Sequence, residues 1–135
     1  MPWAKPAAVR PLIEEFRRVD AAVDPKGLGL RWTIGNALDL LFDDASFDEL
    51  VELATDRRYG RAREMVVLGL GRSKRAAAVD VLLSLVDDPD VDGHAVSALG
   101  KLKAPAARAA LEAKLDDRRA WVRSEARKAL ARLPG

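Results

Sequence analysis

The stretch VDGHAVSALGKLKAPAARAALEAKLDD, residues 91–117, reads as a helix, a tight turn carrying Pro105, and a second helix that ends on the acidic pair Asp116 and Asp117. The same unit recurs on both sides of it. In the first helices, Ala37-Leu38, Val67-Leu68, Ala98-Leu99 and Ala129-Leu130 stand 30, 31 and 31 residues apart. In the second helices, Leu50, Leu82 and Leu111 stand 32 and 29 apart. Acidic residues close the units at Asp56, Asp87-Asp88 and Asp116-Asp117. A helix pair of this size cannot bury its apolar faces alone, so units in register imply a stack whose neighbours complete one another's core.

Composition agrees with that reading. The chain has 135 residues, 49% of them hydrophobic and 33% charged, rich in good helix formers. Its 23 basic and 21 acidic residues leave a net charge of +2, which gives whole-chain electrostatics little purchase on nucleic acid. There is no cysteine, which removes disulfides, thiolate catalysis and cysteine-based zinc sites, and one histidine, His94. The first twenty residues lack the apolar run of a secretory signal, and no window is long and apolar enough to span a bilayer. A cytoplasmic location is the expectation.

Outward from the central unit, the spacing predicts eight helices in antiparallel hairpins. The first covers about 6–19, with Val9, Leu12, Ile13 and Phe16 on one face, Pro6 in its first turn and Pro11 placed to distort it. Pro25, Gly27 and Gly29 mark a loop over 20–29. Helices follow at about 30–42, 47–55, 60–70, 75–86, 91–102, 105–115 and 118–133. Gly71 is expected to be a left-handed C-cap. The fifth helix is apolar nearly all round, interrupted only by Asp80 and Ser84, and is expected to be buried on most sides. Residues 1–27 would be an N-terminal cap helix and loop, 28–57, 58–88 and 89–117 the repeats, and 118–135 a C-terminal cap helix, all in one domain.

The segments DRRAWVRSEARKALARL and VSALGKLKAPAARAALEAKLDD resemble HEAT repeats, and more narrowly the short HEAT-like repeats of the phycocyanobilin-lyase type. The resemblance covers about residues 28–133 and implies an all-α, right-handed α-α superhelix. It also implies an arginine that bonds to a loop aspartate from unit to unit. The matching column is Arg31, Arg61, Asp92 and Arg123, so Asp92 breaks the pattern. The paired His-Glu steps of di-iron HEAT proteins are missing, and no lyase residue is matched. No catalytic residue, cofactor or metal is expected.

What remains is recognition. HEAT-type stacks bind along the surface of their second helices, which places a ridge here. Arg10 and Glu14 come first, then Asp48, Glu49 and Glu52, then Asp80 and Ser84, then Arg108 and Glu112 beside Ala109 and Ala113. It is acidic in its first half and fits a partner protein of basic or mixed charge. The alternative is a nucleic-acid contact through the basic corner Arg72, Lys74 and Arg75, disfavoured because acids are interspersed and no aromatic row accompanies it. A monomer without membrane contact is favoured. Asp87, Asp88, Asp90, Asp116 and Asp117 are read as turn and cap residues rather than metal ligands. His94 is read as a boundary residue in a repeat joint, and Trp121 as core or end-cap. Trp3 either folds over the first helix or is exposed for a partner. A pocket of convergent ionisable groups, as an enzyme needs, is not expected.

Overall fold

The computed structural model describes residues 5–134, with side chains from residue 8 onward. Trp3 therefore lies outside the described residues. Among them are eight α-helices and no strand: α1 (Lys5–Arg18), α2 (Leu30–Leu40), α3 (Phe47–Thr55), α4 (Glu64–Gly69), α5 (Ala77–Leu85), α6 (Asp92–Leu102), α7 (Arg108–Ala113) and α8 (Ala120–Arg132). None is long and apolar enough to cross a membrane. The fold is an all-α solenoid.

The first helices α2, α4, α6 and α8 pack side by side in chain order. The second helices form the other layer, where α1, α3, α5 and α7 rest on α2, α4, α6 and α8 respectively. The core lies between the layers. Val9, Ile13 and Phe16 bury the inner face of α1, Ile34 and Leu38 that of α2, and Leu50, Leu53 and Ala54 that of α3. Leu82 and Leu85 do the same for α5 and Leu111 for α7, while Val96, Ala98 and Leu99 fill the centre. Each large side chain removed from water contributes about 1.5–3 kcal/mol before chain entropy is set against it.

Small residues decide how near the first helices come. A Cβ added to Gly100 would lie 2.8 Å from the Cα of Ala129, so α6 and α8 touch backbone to backbone. Gly71 does the same against Ala98, where a Cβ would sit 3.0 Å from Cα. The structure thus corrects the reading of Gly71 as a left-handed cap. The left-handed residues among those described are Gly27, Gly60 and Lys103, the last capping α6 at φ 52°.

Two further expectations change. α5 is less enclosed than its composition implies: Ala78, Leu82, Leu85 and Val86 are buried, but Val79, Val81 and Leu83 only half so. The expected fourth helix is three pieces, a 3-10 stretch Arg57–Arg63, the short α4, and a 3-10 turn Leu70–Arg72. Gly60, at φ 55° and ψ −136°, breaks the first piece and adds residues before α4. Helix α1 runs through Pro11 unbroken.

Candidate functional site

The polar frame comes first, because it fixes which side chains are left over. A helix leaves its last carbonyls without partners, and here arginines from the next unit supply them. Arg31 donates from Nε to the Phe16 carbonyl at 2.7 Å and from Nη2 to that of Val19 at 2.6 Å, closing α1. Arg63 donates to the Ala54 carbonyl at the end of α3 (3.0 Å) and to that of Gly60 (2.7 Å). Its Nη1 also meets Asp88 Oδ2 at 2.8 Å, with both residues fully buried. Arg123 donates to the Asp117 carbonyl at 2.8 Å. The column therefore runs through Arg63 and not Arg61, which is exposed and paired with Glu64. The loop aspartates Asp56, Asp88 and Asp117 each accept the amide two residues on, as turn formers.

At α6 the polarity reverses. Asp92 is buried, and its Oδ2 takes Lys114 Nζ at 2.9 Å together with Arg119 Nη2. Burial alone would push the Asp92 carboxyl up, but the hydrogen bonds and charges of Arg119 and Lys114 win and hold it below the ordinary value. Burial likewise acts upward on Asp88, where Arg63, the Asp90 amide and the Arg57 charge bring the net shift downward.

The expected ridge stands outside this frame. Arg10, Glu14, Asp48, Glu52, Asp80, Ser84, Arg108 and Glu112 are exposed and Glu49 is half-buried. Its first half is not a free acidic strip, however. Arg10 pairs with Glu49 at 2.9 Å and Arg17 with Glu52 at 3.1 Å, tying α1 to α3. The Ser84 hydroxyl donates to its own helix at Val81, and Arg108 reaches the Pro134 carbonyl at 3.4 Å. Glu14, Asp48, Asp80 and Glu112 have no ion pair among the described residues.

The basic corner is partly engaged within the chain, with Arg72 alone of the three in an ion pair among the described residues. Arg72 Nε bonds to buried Asp39 at 3.0 Å. Arg75 donates to the Asp44 carbonyl at 3.1 Å and covers the Phe47 ring at 5.1 Å. The Lys74 amide bonds to the Asp44 carboxylate at 2.9 Å. Two carboxylates at the corner work against a phosphate contact.

Against expectation, there is a cleft with convergent ionisable groups. It holds about 320 Å³ at the starts of α4, α6 and α8, lined by Arg61, Glu64, Asp90, Asp92, His94, Arg119 and Trp121 with Pro89 and Gly93. Glu64, nearly buried, accepts Trp32 Nε1 at 3.1 Å on one oxygen and Arg61 Nε at 3.1 Å on the other. His94 Nδ1 stands 4.0 Å from Glu64, and its ring meets Trp121 edge-on at 5.5 Å. Burial pushes the imidazole below its ordinary value, against the pull of the Glu64 charge, so His94 is neutral at pH 7. It is a joint residue, as expected, and it also faces the cleft.

Of the two readings of Trp121, core or end-cap, the structure removes the first, because the residue is 47% exposed. It does cover the preceding unit, since its ring edge sits on Gly93. A Cβ there would fall 2.1 Å from Cη2. Alanine at Gly93, inside the first turn of α6, would favour the helix by up to about 1 kcal/mol. The chain forgoes that to seat a half-exposed indole. The sequence held one clue to the cleft, the run Asp92-Gly93-His94 where neighbouring units carry arginine, but not the meeting of three helix starts. No group of three or more metal-ligating side chains occurs among the described residues.

A family model described as HEAT repeats matches residues 47–131, more than half of the chain. The match is to HEAT repeats at large and does not single out the phycocyanobilin-lyase type. No curated protein and no solved structure matches the chain.

Proposed function

The chain belongs to the HEAT-repeat family, and from that premise we propose that it is a non-catalytic protein-interaction module, an adaptor or scaffold. It acts as a monomer in the cytoplasm, with α1 and α8 covering the outermost units of the described stack. The partner lies along the ridge of the second helices and is basic or mixed in charge. One observation carries this reading: Glu14, Asp48, Asp80 and Glu112 are exposed on four successive second helices without an ion pair among the described residues. A row of uncompensated carboxylates on a rigid stack raises the encounter rate with a basic surface and fixes its register.

The test is affinity capture from the source cell with mass-spectrometric identification, using the parent and an Asp48→Lys/Asp80→Lys/Glu112→Lys variant. Exposed substitutions of this kind shift stability by roughly 0.5 kcal/mol or less each. Helicity and Tm should therefore stay near the parent while the captured partner disappears. Capture that is unchanged in the triple variant refutes the choice of ridge.

A further inference from the structure

The cleft at the starts of α4, α6 and α8 does not end at Glu64. A second depression of about 350 Å³, lined by Leu28, Trp32, Arg61 and Glu64, shares Arg61 and Glu64 with it. Together they make one groove across the starts of all four first helices, with an indole toward each end and a glutamate between. Its walls are unusual for this surface. Among the described residues five large apolar side chains are exposed, and two of them, Leu28 and Trp121, line the groove. Neither indole owes its place to the core. Trp121 is seated half-exposed on Gly93, and Trp32 is aimed by its bond to Glu64.

Charge selects the guest. Glu64, Asp90 and Asp92 line the groove against Arg61 and Arg119. Arg119 is committed to Asp92 and Asp117, and Lys114 to Asp92. Arg61 is more than half exposed and held only through Glu64, so it can swing aside. Asp90 is half-exposed, and the nearest cationic nitrogen, Arg63 Nη2, is 3.6 Å away. That nitrogen is itself buried without a hydrogen bond, so Asp90 is not saturated by it. Asp92 is saturated by Arg119 and Lys114, and the Arg119 guanidinium already stands 5.9 Å from the Trp121 ring centre. The charge open to a guest is therefore that of Asp90, and of Glu64 once Arg61 moves, and these carboxylates beside an indole suit a cation.

We infer that this groove binds an extended segment of another protein that carries a basic side chain beside an apolar one. The basic group enters between the Trp121 ring and the carboxylates of Glu64 and Asp90. The apolar side chain lies against Leu28 and Trp32. The ridge of second helices has no part in this, so failure of one surface leaves the other standing.

The experiment is selection of a phage-displayed random peptide library on the full chain, followed by titration of the enriched peptides against tryptophan emission. Enriched sequences should pair Arg or Lys with a nearby Leu, Met or Phe. Their affinity should fall about tenfold or more in Trp121→Ala and in Glu64→Gln, which keeps the bond to Trp32. Arg127→Ala, exposed on α8, should bind as the parent does. Gly93→Ala keeps every charge and dislodges the indole, so it should weaken binding even if Trp121→Ala folds poorly. Absence of enrichment, enrichment of acidic peptides, or parent-like affinity in both Trp121→Ala and Gly93→Ala overturns the inference.

Discussion

Where α4 begins, Arg63 reaches back, caps the end of α3 and meets Asp88, and the junction is sealed from solvent. Where α6 begins, the corresponding residue is Asp92, and the cations arrive from Lys114 of the same unit and Arg119 of the following one. Both junctions neutralise a buried charge, but only the first does so with a long side chain that fills the space around it. At the second, a short aspartate and then Gly93 leave room at the head of α6. That room is the cleft, with Trp121 laid into it. The comparison teaches that the frame preserves charge pairing rather than residue identity. A repeat can exchange polarity at one joint and gain a concave surface there.

The largest effect should come from breaking the sealed junction. Arg63→Met leaves Asp88 buried without its partner and the Ala54 carbonyl uncapped. A loss of about 3–5 kcal/mol in denaturant unfolding is expected. A loss under about 1 kcal/mol would mean that water reaches Asp88 as readily as it reaches the open junction.

Acid comes next and strains both junctions. Asp88 and Asp92 titrate below their ordinary 3.8 in the folded chain. The unfolded chain therefore takes up protons first, so their stabilisation is complete above about pH 4–5 and drains away as the pH falls through the folded values. His94 adds a step of the same sign at higher pH. Its folded value lies below 6.5, so protonation between the two values favours the unfolded chain. Tm should dip below pH 6.5 and fall steeply below 4, and the first dip should vanish in His94→Gln. A profile flat from pH 7 to 3 contradicts both assignments.

Much of this fold is readable in the residues. Apolar spacing in α1, α2 and α3 gives Val9, Ile13, Phe16, Leu38 and Leu50 as core, and each is buried. The small residues of the first helices do mark the close contacts. The missed element is the two-residue slip before α4. Aligning Ala37-Leu38 with Val67-Leu68 puts Arg61 in the capping column, whereas Leu50 and Leu82, 32 apart, point to Arg63, which is 32 beyond Arg31. The second helices carry the true register because their cores lack an inserted turn, while Gly60 hides one ahead of α4. The ridge residues other than Glu49 are exposed, but the pairing of Arg10 with Glu49 and Arg17 with Glu52 depends on packing between α1 and α3 that no local pattern encodes. The cleft was illegible for the same reason, since Glu64, His94 and Trp121 meet only after three units stack.

The smallest of the expected stability effects tests the central comparison most directly. Asp92→Arg restores at α6 the residue type found at Arg31, Arg63 and Arg123. If reversed polarity is built into this joint, the new cation meets Lys114 and Arg119 and denaturant unfolding shows a loss of about 1–3 kcal/mol, softened where the long side chain bends into the cleft. Adding Lys114→Glu should then recover part of that loss. An Asp92→Arg protein as stable as the parent, or more so, would contradict the account.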